Sequence, residues 1–136
     1  MNPTLLDTDI LSEALKGQNS TVAANVLAYL AVHPRLSFSA MTRFEALRGF
    51  LERGATTQLT NFETVCLRSD IIPISDAILD RSAHLWAFAR RGGHPCRDAD
   101  LIIGATALES GFELATGNTL HFQWMPGLVL RDWRQP

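Results

Sequence analysis

The chain predicts an α/β fold, a mostly parallel sheet with helices on both of its faces. Three observations lead there. Short apolar runs alternate along the sequence with longer segments of helical periodicity, and strands separated by helices build parallel sheets. At 136 residues, with 46% apolar and 19% charged side chains, the chain is long enough and apolar enough for one globular domain, expected over residues 1–136. Acids and hydroxyl residues stand where the apolar runs end, and in such sheets ligands bind beyond the C-terminal strand ends.

The elements follow in order. Thr4-Leu5-Leu6 is a short strand ending at Asp7. Ile10 to Lys16 is a helix stopped by Gly17, and Thr21 to Val32 is a second, with Val22, Val26 and Tyr29 at helical spacing and His33-Pro34 breaking it. Leu36 to Ser39 is a strand. Ala40 to Leu51 is a helix whose apolar stripe is expected to be Ala40, Phe44, Leu47 and Leu51. Thr56 to Leu67 is helical, Ile71 to Ile74 a strand, and Asp76 to Arg91 a helix with Ile78, Leu79, Leu85, Trp86 and Phe88 as its apolar residues. After the Gly92-Gly93-His94-Pro95 loop, Ala99 to Ser110 is a helix that Gly111 ends. Phe112 to Ala115 and Leu128 to Leu130 are the last strands.

Several function classes are excluded or weakened at once. No apolar stretch approaches the roughly 20 residues of a membrane span. Asp7 and Asp9 interrupt the N-terminal apolar run, so no signal peptide is expected. Cys66 and Cys96 are thirty residues apart without a CxxC pair, as expected for plain thiols in a reducing cytoplasm. His33, His84, His94 and His121 lack zinc-site spacing and are expected on the surface or in loops. The net charge of −2 singles out no partner, although only Lys16 among the 12 cations is a lysine.

The acids carry more information. The helix from Ala99 is apolar nearly all round, hence buried, and Asp100 shares a face with Ile103, Gly104 and Ala107. A carboxylate there is costly unless it is paired or holds a cation. Asp98, two residues earlier, points the other way and is expected as the helix N-cap. Glu45 is either the partner of a Thr42-x-x-Glu45 capping box or, if the helix begins at Ser39 or Ala40, a carboxylate more than a turn inside it. Asp7 taken alone is a turn aspartate, Asp9 either the first helix's N-cap or a supporting acid, and Asn118 a turn residue. Together they are harder to dismiss. Two like charges 4 Å apart repel by roughly 4 kcal/mol at an effective dielectric near 20. Several carboxylates on one edge therefore call for a cation, and oxygen donors suit Mg²⁺ or Mn²⁺ rather than zinc.

Four segments resemble the PIN domain family. Leu5-Leu6-Asp7-Thr8-Asp9-Ile10-Leu11-Ser12 resembles the family's opening LLDTNxLS. Phe44-Glu45-Ala46-Leu47-Arg48-Gly49 resembles its second acidic motif, and Asp100-Leu101-Ile102-Ile103-Gly104-Ala105-Thr106-Ala107 its DxxIAAxA. Ala115-Thr116-Gly117-Asn118-Thr119-Leu120-His121-Phe122 resembles the fourth motif, and Pro126 to Trp133 is similar to the tail of the VapC toxins within that family. The motifs occur in family order across the whole chain. The resemblance implies a three-layer α/β/α sandwich and a VapC-like endoribonuclease toxin of a type II toxin–antitoxin system, dependent on Mg²⁺ or Mn²⁺. It implies Asp7, Glu45, Asp100 and Asn118 as the catalytic set, with Asp7 and Asp100 on the metal. A homodimer and a VapB-like antitoxin are implied as well. Two departures stand out: Asp9 occupies a position where Asn is commoner, and Asn118 is neutral where some relatives carry Asp.

In this chemistry a metal-activated water attacks the RNA phosphodiester in line, without a Ser/His or Cys/His nucleophile. Arg43, Arg48 and Arg97 are candidate RNA contacts. Two other readings compete. Asp7-Thr8-Asp9 resembles the DxD of haloacid-dehalogenase-type phosphatases, but the downstream lysine of that chemistry is missing. A degenerate PIN fold could also serve as a non-catalytic binding module.

Overall fold

The computed structural model describes residues 1–136. The chain runs β1 (Thr4–Leu6), α1 (Thr8–Lys16), α2 (Ser20–Leu30), β2 (Ser37–Ser39), α3 (Ala40–Arg53), α4 (Thr56–Leu67), β3 (Asp70–Ile72), α5 (Asp76–Gly92), α6 (Asp98–Ser110), β4 (Glu113–Ala115), α7 (Thr119–Phe122) and β5 (Leu130–Arg131). All four strand pairings are parallel, in the order β3-β2-β1-β4-β5. The sheet is thus parallel throughout, as the alternation of strands and helices predicts.

Period-2 alternation sorts the strand side chains into two cores. Leu6, Phe38 and Ala115 face one layer, packed with Ile10, Leu11, Val22, Tyr29, Phe50, Phe62 and Trp133. Leu5 and Leu114 face the other, with Ile78, Leu85, Leu101, Ile103, Phe122 and Met125. Helices α1–α4 therefore cover one face and α5–α7 the other, completing an α/β/α sandwich. No helix is long and apolar enough to cross a membrane.

The order of the strands creates the crevice. From β1 the sheet grows through β2 and β3 on one side, and β4 then adds on the opposite side of β1. This reversal opens a crevice beyond the C-terminal ends of β1 and β4. Both β1 and β2 pass into helices with almost no loop, which sets Asp7 and Ser39 at strand–helix junctions on that edge.

The structure corrects several boundaries. β3 is Asp70–Ile72 rather than Ile71–Ile74, because Pro73 has no N–H to continue the ladder. β5 is Leu130–Arg131 rather than Leu128–Leu130. The Leu128 N–H is taken by the carbonyl of Met125 in a turn where Gly127 adopts a φ of +80°, and pairing begins at Leu114 N–H to Val129 O. The stripe expected on α3 is displaced: Phe44 and Leu51 are exposed, while Thr42, Ala46 and Phe50 are buried. On α5, Ile78 and Leu85 are buried, but Leu79, Trp86 and Phe88 are open to solvent. The short helix α7 lies in a segment, after the turn at Asn118, to which the sequence assigns no element.

Candidate active site

Asp7 leaves the end of β1 and caps α1, its Oδ1 accepting the Thr8 N–H at 2.7 Å. The first helix thus starts one position before Asp9, and the cap expected of Asp9 belongs to Asp7. Oδ2 of Asp7 accepts the hydroxyl hydrogen of Thr116, at the end of β4, at 2.8 Å. The carboxyl is buried, 4% exposed. Burial raises its pKa to about 7, and the charges of Asp9 and Asp100 push the same way, while the bonds from Thr116 and Thr8 oppose the rise.

Glu45 enters from α3. That helix begins at Ala40, capped by Ser39 Oγ accepting the Met41 N–H at 3.0 Å, so Glu45 lies more than a turn inside and the capping-box alternative falls away. Its Oε1 accepts from the Thr8 hydroxyl at 2.7 Å, and Oε2 lies 3.6 Å from Arg48 Nη2. The Thr8 and Thr42 hydroxyls are 3.2 Å apart, so a chain of hydroxyls joins the N-terminus of α1 to α3.

Asp100 enters from α6, whose N-cap is Arg97 in extended backbone, without a side-chain capping bond. The cap expected of Asp98 is therefore one residue early: Asp98 is the first helical residue and is exposed. Asp100 is 4% exposed. Arg97 donates to both its oxygens, Nη2 to Oδ1 at 3.0 Å and Nε to Oδ2 at 3.3 Å, and His121 Nδ1 on α7 lies 3.3 Å from Oδ2. The Arg97 pKa is raised chiefly by this contact with Asp100, and Glu45 and Asp7 add to it. One guanidinium thus senses all three carboxylates, which arrive from β1, α3 and α6.

Asn118 stands at the rim, exposed, as the residue before α7; its side chain makes no capping bond, and its N–H donates to Thr116 Oγ1 at 3.0 Å. Asp9 sits behind the site. Its oxygens accept the N–H groups of Ile10 and Gly117, both at 2.8 Å. Burial raises its pKa against the pull of those two N–H groups and of Arg134. Of the expected RNA contacts, Arg48 and Arg97 border the acids, whereas Arg43 is directed toward Cys66 on α4. The acids converge without closing a ring: no three His, Cys, Asp or Glu side chains form a ready cage. A cleft of about 360 Å³ between α1, α3 and α4, walled by Ser12, Leu15, Lys16, Phe50, Arg53, Gln58 and Asn61, contains none of the acids.

A family model described as PIN domain matches residues 4–123. The chain belongs to the PIN domain family. Among curated proteins there is no sequence match. Solved structures share the fold. VapBC2 from Rickettsia felis, bound to a DNA fragment from its promoter, aligns with a TM-score of 0.86 at 20% identity over 96% of this chain and 98% of that one. VapBC-1 from nontypeable Haemophilus influenzae aligns with a TM-score of 0.81 at 25% identity over 96% and 97%. A toxin–antitoxin complex from Klebsiella pneumoniae aligns with a TM-score of 0.72 at 29% identity over 93% and 95%. In this PIN domain, sequence reasoning finds the acids but misses Thr8, Thr116 and His121. Thr8 and Thr116 lie beside Asp7 and at a strand end, a signal that was available. His121 belongs to a four-residue helix too short to show periodicity.

Proposed function

We propose that this PIN domain is an Mg²⁺- or Mn²⁺-dependent endoribonuclease acting as the toxin of a toxin–antitoxin pair. The observation that carries the reading is the convergence of Asp7, Glu45 and Asp100 at the crevice, with Asp7 buried so far among like charges that it keeps its proton to about pH 7. Ionised together, such acids need a cation beside them. The donor set is oxygen, as a hard divalent ion requires, and Mg²⁺ commonly takes only one or two carboxylates and keeps waters, so an open cluster fits it.

Asp7 and Asp100 would hold the ion. When bound, it supplies positive charge that makes water more acidic and offsets charge growing on the phosphoryl oxygens. The chain's own groups do the rest. Thr116 and the Thr8 N–H fix the two oxygens of Asp7, and the Thr8 hydroxyl fixes Oε1 of Glu45. Oε2 of Glu45 is left to accept a proton from the attacking water. Arg48 and Arg97, exposed on one side, offer forked donors to the RNA phosphates, and Asn118 at the rim adds an amide.

The partners follow from the relatives. Several fold relatives were solved as VapBC or other toxin–antitoxin complexes, which supports a VapB-like antitoxin for this chain. The apolar face of exposed Leu79, Ala83 and Trp86, with half-buried Ile102 beside them, supports a homodimer.

One observation favours a second reading, a non-catalytic binding module: Arg97 already gives Asp100 a cation from within the chain. The test is cleavage of single-stranded and hairpin RNA by purified protein with Mn²⁺, Mg²⁺ or EDTA, beside folded Asp7→Asn and Asp100→Asn variants. Expected are metal-dependent cleavage and a loss of at least about a hundredfold in each variant. Intact RNA, with no rise in Tm on adding Mn²⁺, selects the binding module. Hydrolysis of a phosphomonoester instead of RNA selects the phosphatase.

A further inference from the structure

The loop Thr116-Gly117-Asn118 touches the acids from the β4 side, and something must hold it there. Gly117 is held through both of its backbone polar groups. Its N–H donates to Asp9 Oδ2 at 2.8 Å, and its carbonyl accepts from Arg134 Nη2 at 2.7 Å. Arg134 is itself oriented: its N–H and its Nε both donate to Asp132 Oδ1, at 3.0 and 3.3 Å. The tail that carries it is anchored on either side. Trp133 is buried against Tyr29, and the Asn25 side chain donates to the carbonyls of Trp133 and Gln135 at 2.9 and 3.1 Å. The guanidinium lies flat on Gly117, where any Cβ would collide with it, so the glycine and the arginine fit as a pair. Its charge also bears on Asp9, the acid behind the site.

We infer that Arg134 is a positioning residue, a clasp by which the C-terminal tail holds the Thr116–Asn118 loop in register with Asp7. Through Gly117 it fixes Thr116, whose hydroxyl donates to Asp7, and Asn118, whose N–H donates back to Thr116. The role assigned to Arg134 is in holding the loop and not in contacting substrate. Its catalytic consequence rests on the nuclease reading above, whereas the clasp itself does not.

The experiment compares wild type, Arg134→Ala and Arg134→Lys. Because the Arg134 side chain is half exposed, both variants are expected to fold. Amide hydrogen exchange at Gly117 and Asn118 is measured in EDTA, with Leu114 and Ala115 on β4 as internal reference. In Arg134→Ala, exchange at Gly117 is expected to rise about tenfold, the scale of one lost hydrogen bond, while the reference amides hold. The lysine, able to donate to the same carbonyl, restores most of the protection. With RNA, kcat in Arg134→Ala falls about tenfold while KM is unchanged, as expected for a group that aligns the site without gripping substrate. Unchanged exchange at Gly117 overturns the clasp, as does an equal rise over β1, β4 and the loop, which is plain destabilisation. If wild type cleaves no RNA, the nuclease reading falls and the exchange data still decide the clasp.

Discussion

Thr116 at the end of β4 donates its hydroxyl hydrogen to Oδ2 of Asp7 at the end of β1, across 2.8 Å and out of reach of solvent. The two residues are separated by 109 positions in sequence and joined because β4 inserts beside β1. Thr116→Val keeps the shape and removes both the donor to Asp7 and the acceptor of the Asn118 N–H. It leaves a buried carboxyl with one bond fewer, at an expected cost of about 1–2 kcal/mol in urea unfolding. Since this bond works against the rise in the Asp7 pKa, the variant should also titrate at higher pH than wild type. A variant as stable as wild type would show the bond to be idle.

The raised pKa of Asp7 makes apo-protein stability depend on pH in a stated direction. The unfolded carboxyl loses its proton near pH 3.8, and the folded one near pH 7. Between these values the folded state binds more protons, so stability falls as pH rises from about 4 through about 7. The penalty above pH 7 is on the order of 2–4 kcal/mol. Asp9, also raised by burial, adds a smaller slope of the same sign. In EDTA, Asp7→Asn should therefore be more stable than wild type at pH 8 and closer to it at pH 4.5. Because a cation relieves the same repulsion, Mn²⁺ should raise the wild-type Tm more at pH 8 than at pH 5. A flat wild-type profile in EDTA would remove the charge argument for the metal.

On the proposed metal-dependent reading, Arg97 and a divalent ion would compete for the same oxygens. The guanidinium donates to both oxygens of Asp100 and feels Glu45 and Asp7. Arg97→Gln removes one positive charge at hydrogen-bond distance. Calorimetric titration should show Mn²⁺ binding more tightly, by about three- to tenfold at low salt and less at high salt. If Arg97 also contacts the RNA as proposed, the same variant should cleave RNA with a higher KM. Weaker Mn²⁺ binding in Arg97→Gln would make the arginine a support for the metal site rather than its competitor.

How far the sequence reveals the site differs from residue to residue. Asp100 is legible because a carboxylate on a buried helix is costly without a function, whereas Asp7, a turn aspartate when taken alone, is legible only beside the other acids and in the family motif; both are 4% exposed. Asp98 and Asp100 point apart, one exposed and one buried, as the helical period demands. The face of α3 was legible in principle. Thr42, Ala46 and Phe50 lie four apart, but the small, weakly apolar Thr42 and Ala46 leave the stripe less evident than the one through Phe44 and Leu51, which are exposed. This face decides Glu45, since a helix turned to bury Phe44 would turn Glu45 with it. Arg97 and Asp100 pair locally, three residues apart, but the His121–Asp100 contact was not legible, because it depends on α7 packing near the N-terminus of α6, and no local pattern encodes that approach.

The position of β1 itself depends on a polar contact inside an apolar layer. Tyr29 on α2 is 2% exposed, and its hydroxyl accepts the N–H of Thr4 at 3.1 Å while lying 3.4 Å from the Thr4 carbonyl. Thr4 is the first residue of the strand that ends in Asp7, so this contact anchors the start of the strand that delivers the acid. Tyr29→Phe keeps the ring against Trp133 and strands the Thr4 N–H without a partner. The expected loss is about 1–3 kcal/mol, the cost of one unsatisfied buried donor. Tyr29→Leu should lose more, because ring packing goes too. If the contact sets the strand and not only its stability, amide exchange in Tyr29→Phe rises at Leu5 and Leu6 before it rises at Phe38 on the neighbouring strand. Simultaneous loosening of both strands would reduce Tyr29 to a contributor of core stability alone.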